Sequence, residues 1–135
     1  MKRLNLEVFT MRKTTLTVIA LLCASNVALA NSACDTPNND FDGLYCLNKV
    51  YQEADKELND NYKKLKGKLD SEGKGLLKTG QLTWIEERNT NCSRRDGDEF
   101  FVNLNCATNT TIERSNFLQD RIRECVSAGC QNSQL

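Results

Sequence analysis

Apolar positions along the chain recur mostly at steps of three and four, which is the period of a helix face. The clearest stretch is Leu44, Leu47, Tyr51, Ala54, Leu58, Tyr62, Leu65 and Leu69, with lysines and acids filling the intervening positions. It predicts a helix over residues 43–70, long enough to run the length of a small domain. Asp40 or Asp42 is suited to cap it, because a short polar side chain satisfies the free amides of a first turn. Ser71-Glu72-Gly73-Lys74-Gly75 interrupts the pattern with two glycines and reads as a tight connection. A second helix is expected from Leu76 to Asn91, antiparallel to the first across that short link. Ser93 to Asn105 reads as a loop, charged in its first half and apolar in its second. Phe100, Phe101, Val102 and Leu104 are expected to tuck back as its anchor; the alternative is an apolar surface shown to a partner. Thr111, Arg114, Leu118, Ile122 and Cys125 place a third helix over residues 107–126. The expected fold is all-α: a small antiparallel three-helix bundle.

The first 30 residues do not fit that fold. Met11-Arg12-Lys13 is basic, residues 16–24 are apolar, and Ala28-Leu29-Ala30 puts small residues where a signal peptidase reads. This predicts a secretory signal peptide over residues 1–30, cleaved after Ala30, whose apolar run is too short to span a bilayer as a retained helix. Leu22 stands before Cys23 where a lipoprotein signal needs a small residue, so lipidation is not expected. Residues 31–135 would then form a single periplasmic or secreted domain, with no membrane contact after cleavage. Asn31 to Asp42, with the only proline at Pro37, reads as an extended arm.

Cleavage changes the charge. The whole chain carries 18 basic and 18 acidic residues. The leader takes Lys2, Arg3, Arg12 and Lys13 and one acid, Glu7, which leaves 14 basic and 17 acidic residues, a net of −3. That is the wrong sign for nucleic acid and mildly favours a cationic partner. Of seven cysteines, Cys23 leaves with the leader. Six remain in a short exported chain, the signature of disulfides. Six cysteines allow about 15 pairings. Chain layout favours neighbours: Cys34–Cys46 from the arm to the first helix, Cys92–Cys106 across the loop, and Cys125–Cys130 at the end. A competing set joins Cys34 or Cys46 to the C-terminal pair. Zinc is disfavoured, because no two cysteines stand at C-x-x-C spacing and the chain has no histidine. That lack also removes Ser-His and Cys-His chemistry. Acids such as Glu86, Glu87, Asp96 and Asp98 form no recognisable pair. No catalytic, cofactor or metal site is expected.

Three segments carry a resemblance. They are Ala54-Asp55-Lys-Glu-Leu58-Asn59-Asp-Asn-Tyr62, then Gln81-Leu-Thr-Trp84-Ile-Glu-Glu-Arg88-Asn-Thr-Asn-Cys92, then Cys106 with Thr111-Ile-Glu-Arg114-Ser-Asn-Phe-Leu118. Together they resemble the N-terminal domain of the LprI type of bacterial lysozyme inhibitor, over residues 34–122. The resemblance implies an exported helical protein that binds and inhibits lysozyme. The chain departs from the family pattern in two places. Gly97-Asp-Glu-Phe-Phe101 stands where a Gly-Gly-Ser-like loop is usual, and Cys125 and Cys130 lie beyond the usual core.

Two sets of residues are then candidates. Asp55, Asn59, Tyr62, Gln81, Trp84, Arg88, Thr111 and Arg114 are expected to form a buried polar network that sets helix register, with two arginines facing one aspartate. Arg94, Arg95, Asp96, Asp98, Glu99, Phe100 and Phe101 are expected to meet a protein partner. A cationic lysozyme holds two carboxyl groups in its cleft. Arg94 or Arg95 would reach those acids, the loop acids would meet basic rim residues, and a phenylalanine would fill an apolar pocket. The alternative is a periplasmic interaction or immunity-type protein with a different envelope or toxin partner.

Overall fold

The computed structural model describes Cys34 and residues 36–135; the leader, its cleavage site and Cys23 lie outside the described residues. Three helices, α1 (Asp40–Lys66), α2 (Ser71–Cys92) and α3 (Leu104–Ser127), carry most of the chain. A small antiparallel hairpin, β1 (Ser93–Asp96) and β2 (Glu99–Val102), connects α2 to α3. A short 3₁₀ turn, Asn132–Gln134, closes the tail.

Each boundary has a local cause. Asn39, rather than Asp40 or Asp42, caps α1: its side chain accepts from the Asp42 amide at 3.0 Å and donates to the Asp42 carboxylate at 2.9 Å. Asp40 and Asp42 instead occupy the first turn and Lys63, Lys64 and Lys66 the last, the charge order that suits the helix dipole. The connection between α1 and α2 is Gly67 to Asp70, not Ser71 to Gly75. Asp70 caps α2 by accepting from the Gly73 amide at 2.7 Å, so the two glycines lie inside the first turns, where a strong cap outweighs their poor helix propensity. Gly73 is also needed for space: a Cβ there would collide with the side chain of Asn132, which donates to Asp70 at 3.2 Å.

The Asp70 carboxyl is held below its ordinary range, first by the Gly73 amide and then by the Asn132 amide. A folded value below the unfolded one contributes stability that is complete above the unfolded value and is lost as pH falls through the folded one. An Asp70→Asn variant is therefore expected to unfold at lower urea than wild type at neutral pH. The gap should close on acidification, and a gap that persists at the lowest pH would mean that the carboxylate charge is not its source.

The core is small. Leu58, Leu65, Leu69, Leu77 and Leu118 form one buried cluster, with Tyr62, Trp84, Phe117, Ile122 and Leu135 packed around it. The buried side of α1 is Val50, Ala54, Leu58, Asn61 and Leu65. It passes beside Tyr62 and leaves Leu44 58% exposed, one turn beyond the core. The buried side of α3 is Ala107, Thr108, Thr111, Ser115 and Leu118. Small residues on both facing stripes let α1 and α3 approach closely. Two polar struts tie the pair: Asn61 donates to the Ser115 hydroxyl at 2.9 Å, and Gln119 donates to Glu57 at 2.7 Å. Leu104 lies beside Leu44 and Asn48, and the Cys130 sulfur lies 3.5 Å from the Lys68 carbonyl. The starts of α1 and α3 thus lie together, as do their ends, with α2 running the opposite way.

Disulfides join Cys34–Cys46, Cys92–Cys106 and Cys125–Cys130, at sequence separations of 12, 14 and 5. Each links neighbours in the chain. The first draws the arm onto α1, where Pro37 packs over the buried Gly43.

Candidate partner-binding site

The residues expected to form one buried network separate into two clusters, the first of them exposed at Asn59. In the first, the Arg88 guanidinium lies over the Trp84 ring at 5.0 Å and the Tyr51 ring at 6.0 Å. Asp55 stands 4.0 Å from it, and Asn59 donates to the Asp55 carboxylate at 3.0 Å and carbonyl at 2.8 Å. Arg88 itself donates to the Asn89 side chain at 3.1 Å. The Asp55 side chain is 43% exposed, so the ion pair contributes at most about 1 kcal/mol. The aromatic faces fix the arginine more than the carboxylate does.

In the second cluster Arg114 donates to Gln81 at 3.0 Å and stacks on Phe117 at 4.6 Å. Burial pulls its guanidinium below its usual value, with Glu87 opposing. Only Arg88 faces Asp55, so the expected arrangement of two arginines on one aspartate does not form. A shared helix face placed Trp84 and Arg88 together, but Gln81 lies two turns from Arg88 and meets α3 instead. Thr111 is fully buried, and its hydroxyl has no protein partner; it supplies volume to the α1–α3 contact. Tyr62 packs on the leucine core.

The segment expected to be an irregular loop is a hairpin. Ser93 pairs with Val102, Arg94 with Phe101, Arg95 with Phe100 and Asp96 with Glu99. Gly97 takes φ 58 while no non-glycine residue among the described ones has positive φ, so Gly97-Asp98 is a two-residue turn with glycine first, the form that matches strand twist. Two strands alone are marginal in water. Here the foot is held by the Cys92–Cys106 bond, by the Asn103 amide donating to the Cys92 carbonyl at 2.9 Å and by the Ser93 hydroxyl donating to the Asn89 carbonyl at 2.6 Å. Asn103 then caps α3 through the Cys106 amide at 3.0 Å.

Every strand residue is exposed, so Phe100 and Phe101 do not tuck back. A two-stranded ribbon standing off the helices has no interior to receive them. Each ring is covered instead by the arginine opposite: Arg95 lies 4.1 Å from the Phe100 ring and Arg94 lies 4.4 Å from Phe101. Directly opposed residues share a face and adjacent ones alternate, so each face carries one Arg–Phe stack. The tip carries Asp96, Asp98 and Glu99. Among the described residues, no ion pair forms to these acids or to Arg94 and Arg95. Asp96 and Glu99 are like charges placed directly opposite, which weakens the hairpin. At its foot, Arg94 and Phe101 border a groove of about 490 Å³ with Asn91, Cys92, Ser93, Val102 and Asn103. No cluster of metal-ligating side chains occurs among the described residues, and none of their helices is long and apolar enough to cross a membrane.

These features define a small, disulfide-stapled helical protein that displays an exposed, charged hairpin. The chain belongs to the lysozyme inhibitor LprI family, whose model matches residues 31–118. The match takes in the hairpin and its staple and stops before Cys125 and Cys130. No curated protein and no solved structure matches the chain.

Proposed function

We propose that this is an exported protein that binds and inhibits lysozyme, protecting the cell wall, and that the hairpin is the element that meets the enzyme. The observation that carries this is the stapled hairpin inside the family-matched stretch. Its arginines are ordered on aromatic rings yet paired to no acid, and Phe100 and Val102 are 66% and 56% exposed. Desolvated arginine and aromatic side chains on a rigid support are what concentrate binding energy in an interface. Residues 31–135 form one antiparallel three-helix domain released by cleavage after Ala30 into the periplasm or medium. The net charge of −3 on that domain draws it to a cationic enzyme. The test is a titration of oxidised mature protein against a panel of lysozymes. Inhibition of at least one cationic lysozyme at or below micromolar concentration is expected, and a panel left fully active would refute the reading.

A further inference from the structure

Building on that reading of the hairpin, we propose that it docks broadside, not tip-first: the Arg95–Phe100 face lies over the acidic cleft of the lysozyme, with Asp96 and Glu99 on the opposite face, turned away from it. The hairpin is dipolar along its length. Asp96, Asp98 and Glu99 put three carboxylates within the four residues of the tip, and the two arginines sit on the next two rungs of the ladder. Rungs are about 3.4 Å apart, so negative and positive ends are separate but close. A glycosidase cleft that holds two carboxyl groups repels such a tip if it enters first, and the repulsion grows as water is expelled. Laid lengthwise on its Arg95–Phe100 face, the same hairpin sets Arg95 over the acids, while Asp96 and Glu99, which alternate to the Arg94–Phe101 face, point away from the cleft. The arginine is then matched to the cleft acids, and the two opposed carboxylates are kept out of the cleft.

The two faces are not equivalent. Phe100 is 66% exposed and Phe101 39%. The Arg94–Phe101 face looks into the groove at the hairpin's foot, where Asn91 and Asn103 lie beside it, so the scaffold already occupies part of it. The Arg95–Phe100 face is open. Stacking holds the Arg95 guanidinium on the ring and leaves its edge donors, in their planar fork, for a carboxylate.

The experiment compares Arg95→Ala, Arg94→Ala, Arg95→Lys and the triple neutralisation Asp96→Asn/Asp98→Asn/Glu99→Gln. All are made in the full disulfide-bonded protein, checked by circular dichroism, and tested against a cationic lysozyme at low and high salt. Arg95→Ala is expected to raise the inhibition constant about thirty-fold or more, as for a central arginine anchor, and Arg94→Ala no more than about three-fold. Arg95→Lys should recover only part of the loss, because a point charge does not reproduce the fork. The triple neutralisation should weaken inhibition and flatten its salt dependence. If it strengthens inhibition instead, the tip enters the cleft and the orientation is wrong. A larger loss from Arg94→Ala than from Arg95→Ala assigns the opposite face. A wild-type protein that inhibits no lysozyme overturns the inhibitory reading and the orientation with it, whereas inhibition that survives Arg95→Ala overturns the orientation alone.

Discussion

Replacing Leu118 with alanine is expected to destabilise the protein by about 3 kcal/mol, within the 2–5 kcal/mol typical of buried leucine truncation. Leu118 is fully buried and is the one α3 leucine in a cluster whose other members, Leu58, Leu65, Leu69 and Leu77, come from α1, α2 and their connection. Its removal takes away the transfer energy of the side chain and leaves a void that surrounding leucines refill only in part. For a domain of this size the total stability is about 5–15 kcal/mol, so one side chain carries a large share. The measurement is urea unfolding, with a lower midpoint and unchanged slope. Phe100→Ala is the control: the ring is mostly exposed, and the midpoint should stay close to that of wild type. A Leu118→Ala variant within about 1 kcal/mol of wild type would mean that α3 is not held by this core.

How much of this was legible in the sequence varied with how far each element buries a face. The long period in α1 predicted its existence because Ala54, Leu58 and Leu65 must leave water, and no turn chemistry interrupts them. Its polar members were harder to see. Asn61 continues the run 54, 58, 61, 65 at steps of four, three and four, but an Asn-Asp-Asn stretch looks like surface, and its partner Ser115 is contributed by another helix. Glu57 and Gln119 were hidden for the same reason. Gly73 and Gly75 signalled a turn by composition, while the Asp70 cap three residues earlier had the stronger claim on the backbone. The hairpin escaped because strand alternation marks a sheet with one wet and one dry face, and this ribbon is wet on both. Its surviving signal was the dipeptide Gly97-Asp98, a glycine-first hairpin turn set among charges. The Arg–Phe stacks follow from register, which a single sequence does not display.

Removing the Cys92–Cys106 bond with paired alanines is expected to cost about 3 kcal/mol in chain entropy for a loop of this length, since the two cysteines stand 14 residues apart. Alanine suits the test, because Cys92 is 4% exposed and a smaller apolar side chain adds no polar burial. The larger consequence is local. The bond ties the last residue of α2 to the first turn of α3, so the hairpin's two ends are set by the scaffold instead of by its own four rungs. Without it, the Asn103–Cys92 hydrogen bond, the Ser93 amide and hydroxyl on the Asn89 carbonyl and the ladder are left to oppose fraying, and two opposed carboxylates at the tip favour opening. A binding element that must be ordered on docking loses affinity by that ordering. The double variant should therefore inhibit at least about ten-fold more weakly even at temperatures where circular dichroism shows intact helices. Cys125→Ala/Cys130→Ala offers the comparison. It opens a loop of only 5 residues, outside the matched stretch, so it should lose less stability and inhibit as wild type does. Equal inhibition by both double variants would separate the staple from function and leave it a purely structural bond.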